Sequence, residues 1–388
     1  MKKNIFIALA VLTGFATGYS QAPDISWTKL FSKDTLGAKT GDQDDIRSHY
    51  VVETHDRGFA LTGHCCCRHC NGDMFVIRTD SAGTIIWTLR SDDSSRNEVA
   101  NCIQETGDHG FITAGFTQGS SFNMYYVVRI DSIGNTLWAK KYGSSGSGDF
   151  ANANSIKQTP DGGFIIAGYT FPRASSHSLV YIIRIDANGD TMWSRTFGGT
   201  KNDWARDILV TADSGYVVCG ATESFGAGGS DVYLLRLDKN GNLAWSKTFG
   251  TEANDGGYSI CQSLDGGFVV TGYTNDYQDV YLVKTDTNGN AVWTKTIGSP
   301  GTSEHGRSVK ALSEGGYIIG GLTGADSTCG YLVRTDEQGN VMWTKTIAGD
   351  SPDYPLYCVQ ATADGGIIAT GRDDIGEFHT QLIKLNGR

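Results

Sequence analysis

Seven tryptophans recur along this chain at nearly fixed intervals. Trp27, Trp87, Trp138, Trp193, Trp245, Trp293 and Trp343 each sit in a W-x-x segment, mostly W-[TSA]-[KR], at spacings of 60, 51, 55, 52, 48 and 50 residues. Trp204 alone falls outside the register. A period near fifty residues marks a supersecondary unit that buries its apolar face by stacking on its neighbours.

Two further landmarks keep the same phase. One is Asp-x-Gly before an apolar residue, as in Asp56-Arg57-Gly58-Phe59 and Asp161-Gly162-Gly163-Phe164, with Glu314 in the acid's place in the sixth unit. The other is a basic residue, then x-Asp-x-x-Gly, then tryptophan four residues on, as in Arg184-Ile185-Asp186, Gly189 and Trp193. Asp at the first and Gly at the fourth position suit a tight turn. Between turns lie runs such as FIIAG, VYLLRL and LAWSKTF, rich in β-branched and aromatic residues and without helical spacing. A glycine also recurs inside the second strand of each unit: Gly63, Gly115, Gly168, Gly220, Gly272, Gly321 and Gly371. Glycine there marks a bulge or a close backbone approach.

Each unit therefore reads as four antiparallel strands, the content of a propeller blade. The last unit, ending HTQLIKLNGR, lacks a tryptophan strand; PDISWTKLF near the start is a tryptophan strand with nothing before it. The expectation is an all-β, seven-bladed β-propeller whose last blade is closed by the N-terminal strand. Approximate blades are 44–91, 97–143, 149–198, 202–250, 254–298, 303–349, and 353–388 plus 23–35, in one domain over 23–388. Closure of this kind hides two sheet edges.

The pattern [YV]-x-[LIV]-[RK]-x-D-x-x-G-x-x-x-W resembles the tryptophan-docking repeat of quinoprotein-like (PQQ-like) propellers. It is closer to the DGG-repeat propellers of secreted bacterial proteins. The resemblance implies the fold over nearly the whole chain after the first segment. Quinoprotein enzymes of this kind usually have eight blades and a calcium-ligand set with no counterpart here, so no quinone cofactor is expected.

Residues 1–22 read as an export signal. Lys2 and Lys3 precede a short apolar core, Ile5 to Ala16, and a small-residue region, Gly18 to Ala22. A secreted or periplasmic, soluble protein without a membrane span is expected. The net charge of −10 argues against nucleic-acid or anionic-lipid partners. An oxidising compartment permits disulfides, and nine cysteines leave at least one unpaired within the chain.

Loops entering each blade and loops joining its second and third strands share one face, called the top here. An acid stands at each entry: Asp45, Glu98, Asp149, Asp203, Asp255, Glu304 and Asp353. Aromatics follow three of them, Phe150, Trp204 and Tyr354. Candidate binding residues are Trp204, Phe150, Tyr354, Asp149, Asp203, Asp353 and His379, for a protein or glycan ligand. An acid in every blade equally suits a loop anchor. The repeated basic residues, Arg78, Arg129, Arg184, Arg236, Lys284, Arg334 and Lys384, suit an ion pair within each blade or a snorkelling stem. No nucleophile–base constellation stands out, so a non-catalytic role is preferred. The alternative is a carbohydrate-active or quinoprotein-like enzyme using top-face carboxylates.

The segment GHCCCRHCNGD, residues 63–73, is a top-face loop of the first blade. Three readings stay open. A disulfide would join two of Cys65, Cys66, Cys67 and Cys70, or reach Cys102 or Cys358 in the flanking blades. Zinc would be held by His64, Cys67, His69 and Cys70, although a second zinc knuckle is missing. A redox pair would use the basic residues between Cys67 and Cys70.

Overall fold

The computed structural model describes residues 21–36, 45–67, 70–91, 97–119, 122–143, 150–173, 175–324, 329–347, 355–373 and 379–387. The export-signal reading falls almost wholly outside these residues. No helix among them is long and apolar enough to cross a membrane.

Among the described residues, twenty-eight strands form seven four-stranded antiparallel units. The second and third units are joined into one sheet where Phe150 pairs with Asn123. The innermost strands are Asp45–Glu53, Asn97–Glu105, Phe150–Gln158, Asp203–Val210, Gly256–Gln262, Ser303–Ala311 and Leu356–Ala361. Each packs on the next, and the first packs on the last, so the ring is closed. The N-terminal strand Ile25–Phe31 lies antiparallel to His379–Leu385 as the outer strand of the seventh blade, with Trp27 opposite Lys384. The chain is a seven-bladed β-propeller with the closure its sequence predicts.

The repeat landmarks are joints of this ring. Each tryptophan of an outer strand docks on the following blade. Trp27 meets Phe59 edge-on at 5.8 Å between ring centres, Trp87 meets Phe111 at 5.7 Å, and Trp193 meets Tyr216 at 6.0 Å. Such aromatic pairs contribute about 1 kcal/mol each beyond area burial. The turn glycine of the following blade covers the tryptophan: a Cβ on Gly241 would stand 2.8 Å from Trp193.

The repeated basic residues pair within their blades. Arg78, Arg129, Arg184, Arg236, Lys284, Arg334 and Lys384 reach Asp56, Asp108, Asp161, Asp213, Asp265, Glu314 and Asp364 of the turn between the first two strands. Arg129 Nη2, for example, donates to both Asp108 oxygens at 2.6 Å while its Nη1 donates to Phe111 and Ile130 carbonyls. The same contact in seven blades is a structural clamp.

Candidate functional site

Every innermost strand slips register once, at an equivalent place. The slips fall between Ser48 and Tyr50, Ala100 and Cys102, Ala153 and Ser155, Ala205 and Asp207, Gly257 and Ser259, Gly306 and Ser308, and Leu356 and Cys358. The bulged residues are His49, Asn101, Asn154, Arg206, Tyr258, Arg307 and Tyr357. One from each blade, they line a single pocket of about 160 Å³, which therefore lies on the propeller axis. It sits toward the strand starts, the side of the blade-entry loops.

The strand glycines make these bulges feasible. Gly63, Gly115, Gly168, Gly220, Gly272, Gly321 and Gly371 lie opposite the residue that precedes each bulge. A Cβ at any of them would come within 1.7–2.2 Å of a carbonyl oxygen of the innermost strand or, for Gly371, of Pro355 just before it. Only glycine tolerates that approach.

The ring is chemically two-sided. In blades one to three the bulged side chains bond the next blade: His49 Nδ1 to Ala100 O at 3.2 Å, Asn101 Nδ2 to Ala153 O at 2.8 Å, and Asn154 Nδ2 to Ala205 O at 2.7 Å. In blades four to six the pattern changes to cations on an aromatic ring. Arg206 lies 5.6 Å and Arg307 4.6 Å from the Tyr258 ring centre. Arg307 Nε is buried and has no hydrogen-bond partner among the described residues.

Two lysines stand one tier deeper, three residues beyond the bulges. Lys157 lies 5.5 Å and Lys310 5.8 Å from the Tyr50 ring centre, and Lys310 donates to the Tyr50 hydroxyl at 3.5 Å. Burial opposes their charges, but the Tyr50 hydroxyl and the Asp207 carboxylate outweigh it and raise both lysine pKa values. Among the described residues, Asp207 is the one carboxylate lining the pocket. Its oxygens accept from Ser155 Oγ at 2.7 Å, Ile208 N at 2.9 Å, and Ser259 Oγ and Ile260 N at 3.2 Å. It thereby ties blade four to blades three and five.

An aromatic shelf adjoins the cationic side. Tyr258 meets Tyr273 at 5.5 Å, and Tyr273 stacks on Tyr277 at 3.9 Å and 16°. His305 Nε2 donates to Tyr277 O at 2.9 Å, and burial lowers its pKa. Tyr277 is 43% exposed. It ends a run of three non-glycine residues in left-handed conformation, Asn275, Asp276 and Tyr277, at φ of 54°, 57° and 67°. Each costs about 1 kcal/mol or more. The Asp276 carboxylate, which accepts from Asn254 N at 2.9 Å and Nδ2 at 2.7 Å, helps hold the run.

Those residues singled out from sequence that the structure describes do not line this pocket. Asp203 is fully buried and accepts from Thr222 Oγ1, Ser224 Oγ at 2.7 Å and Gly199 N at 2.8 Å. Glu98, Asp255 and Glu304 are buried likewise, so these four entry acids anchor loops and do not face a ligand. Trp204 is half-buried in the innermost strand of blade four, two residues before the bulge. Phe150 is 41% exposed. His379 is half-buried at the start of its strand. Asp149, Asp353 and Tyr354 lie outside the described residues.

The cysteine segment forms the hairpin between strands Phe59–Cys67 and Cys70–Thr79, with Cys67 opposite Cys70 in the ladder. Its remaining metal candidate, His69, and the side chains of Cys66, Cys67 and Cys70 lie outside the described residues. His64 is largely buried, 5.0 Å from the His49 ring; burial, with His49 and Arg47 nearby, lowers its pKa to about 3. Cys65 Sγ bonds Asp73 O at 3.4 Å. Cys102 and Cys358, the alternative partners considered for the loop cysteines, are not bridged to it in this structure. Both are buried free thiols, donating to Ala114 O at 3.7 Å and Val51 O at 3.6 Å. Burial also raises both thiol pKa values, Cys102 to about 12.

The axial ring was missed because seven different local contexts hide it. Its signal was the strand glycine, read back across the hairpin to the residue it faces. Larger clefts of about 380 and 480 Å³ beside Trp293 and Trp245 are lined by turn and clamp residues and are seams between blades.

No family model matches the chain. It is 26% identical over 171 residues to the regulatory protein FlaEY of Caulobacter vibrioides, a match covering 38% of this chain and 17% of that protein. The periplasmic gluconolactonase PpgL of Pseudomonas aeruginosa superposes at a TM-score of 0.52 with 12% identity, covering 84% of this chain and 96% of that one. Puromycin hydrolase gives 0.54 and 12%, covering 91% and 53%. YCF48 bound to D1 peptide gives 0.50 and 11%, covering 94% and 97%. At these identities the likeness is one of fold.

Proposed function

We propose that this is an exported, non-catalytic binding propeller of the DGG-repeat kind. Its ligand is a protein or glycan that presents an anionic group to the axial pocket. The observation that carries this reading is a charge inversion. Arg206, Arg307, Lys157 and Lys310 converge on the axis against one carboxylate among the described residues, Asp207, in a chain of net charge −10. The Tyr273–Tyr277 shelf offers an aromatic face to the part of the ligand outside the pocket. YCF48, bound to a peptide, supports a peptide among the ligands. Export rests on the N-terminal segment read from sequence.

The enzyme alternative has less support. Acid–base hydrolysis by paired carboxylates needs two facing the substrate. The entry acids Glu98, Asp203, Asp255 and Glu304 are buried and Asp207 is committed to neighbouring blades.

The test is binding of immobilised protein to arrays of acidic peptides and uronate-bearing glycans, with neutral analogues as controls. Replacing both Arg206 and Arg307 by Ala is expected to weaken retained ligands at least tenfold while leaving the melting temperature close to wild type. Ligands that bind the double variant as tightly as wild type would overturn the reading.

A further inference from the structure

A second site lies at the opposite end of the innermost strands, on the seam between blades one and two. His55, Glu105 and His109 bring their ligating atoms within 4.8 Å of one another. His55 Nδ1 is 2.5 Å and His109 Nδ1 3.8 Å from the same oxygen, Glu105 Oε1. The two imidazoles stack at 3.7 Å and 28°. We infer that these three side chains form a site for a divalent transition metal, of which zinc is the representative ion.

The geometry is close to what zinc asks. Bonds of 2.0–2.1 Å in a tetrahedron put ligand atoms about 3.3 Å apart. The observed 2.5 and 3.8 Å bracket that edge, and the two stacked rings turn about their side-chain bonds to aim both Nδ1 lone pairs at one ion. Two imidazoles and one carboxylate suit late first-row metals better than calcium or magnesium. Both histidines are about half exposed, which leaves room for water in the fourth position. The backbone N–H of His55 donates to Glu105 Oε2 at 2.8 Å and fixes the carboxylate from behind.

Comparison among the blades separates this site from an ordinary seam contact. Between blades seven and one, Ala363 N donates to Glu53 Oε2 at 2.8 Å; between blades two and three, Gly107 N donates to Gln158 Oε1 at 2.9 Å. In those two seams the contact is made by a backbone N–H and one side-chain oxygen, with no imidazole. The histidines are additions on this seam. His109 has φ of 62°, at a turn position that holds glycine in four of the seven blades, Gly162, Gly266, Gly315 and Gly365. Keeping an imidazole there costs about 1 kcal/mol relative to glycine. Metal bound here would cross-link two neighbouring blades.

The repeat supplies its own test variants. Glu105→Gln restores the blade-three residue and His109→Gly restores the common turn residue, so both keep the seam. Chelator-treated, tag-free protein, with its accessible thiols alkylated to silence the cysteine hairpin, is titrated with Zn²⁺ by calorimetry. The expected result is one equivalent bound by wild type, weakened at least tenfold in both His109→Gly and Glu105→Gln, with the apo melting temperature of His109→Gly no lower than wild type. Absence of Zn²⁺ binding in wild type, or binding unchanged in both variants, would overturn the inference. His55→Ala is the third variant should either of the others melt early.

Discussion

The Arg307 guanidinium lies 4.6 Å from the centre of the Tyr258 ring, one blade away, with Arg206 at 5.6 Å from the same ring. A tyrosine between two guanidiniums holds like charges together that would otherwise turn apart. Each cation–ring contact is worth about 1 kcal/mol at such a half-exposed place. Tyr258→Ala should therefore weaken an anionic ligand roughly fivefold, and Tyr258→Phe should not. Affinity should also fall as salt rises from low to physiological, because exposed charge attraction is screened. A salt-independent affinity, or equal losses in the two variants, would count against charge recognition on the axis.

The bulge that presents each ring residue depends on its glycine. A Cβ on Gly220 would stand 1.8 Å from the Trp204 carbonyl oxygen, which neither strand can relieve without losing the ladder. Gly220→Ala should cost at least about 3 kcal/mol, the range of severe steric substitutions. Gly162→Ala is the contrast: it has open space but φ of 84°, so only backbone strain of about 1–2 kcal/mol is expected. Urea midpoints of the two variants check the ordering, and a smaller loss at Gly220 than at Gly162 would refute the bulge argument.

The fold was legible because seven blades use the same joints. Trp138, Asp161 and Arg184 each answer a constraint that recurs in every blade, so the repetition itself reveals them. The site was not legible for the converse reason. His49, Asn101 and Arg206 occupy one geometric position with three chemistries, and no motif survives such variation. In sequence Asp203 is an acid beside an aromatic, the look of a sugar platform, whereas the strand start buries it under Thr222 and Ser224. Tyr277 gave no signal because its placement depends on a three-residue left-handed run that sequence does not announce.

The turn carboxylates set the acid limit of the fold. Asp108, bonded by Thr106 and Arg129, has its pKa lowered to about 2, as has Asp213, bonded by Thr211 and Arg236, and Asp265, bonded by Lys284 and Ser263. A folded-state pKa below the unfolded one contributes stability above the unfolded value that is lost as pH falls through the folded value. The melting temperature should hold near pH 5 and drop between about pH 4 and pH 2. These groups are well exposed, so each contributes little, and the drop should be gradual. Arg236→Met should flatten part of it. A melting temperature unchanged down to pH 2 would disprove the clamp's electrostatic share.

Asp207 carries more than any turn acid because it is buried and faces Lys157 at 4.0 Å. Its removal leaves the axial lysines without their counter-charge and two serines and two amides without their acceptor. Asp207→Ala should cost about 3–5 kcal/mol, the range for breaking a buried charge pair. Asp207→Asn keeps an acceptor but not the charge and should fall between. Equal stability of Asp207→Ala and wild type in urea would show that the axial charges are not coupled.

The hairpin of the cysteine segment yields the last prediction. Cys67 and Cys70 are direct partners across the ladder, and Cys102 and Cys358 hold free thiols bonded to carbonyls. Directly opposed residues have Cα atoms about 4.5–5.5 Å apart, inside the range a disulfide spans. Protein made in an oxidising compartment should carry one bridge, Cys67 to Cys70, found by intact mass and peptide mapping after thiol labelling. So short a loop constrains the unfolded chain little, so reduction should cost no more than about 2 kcal/mol. A bridge mapped to Cys102 or Cys358 would mean that an innermost strand had left its present position, and would overturn the register described here.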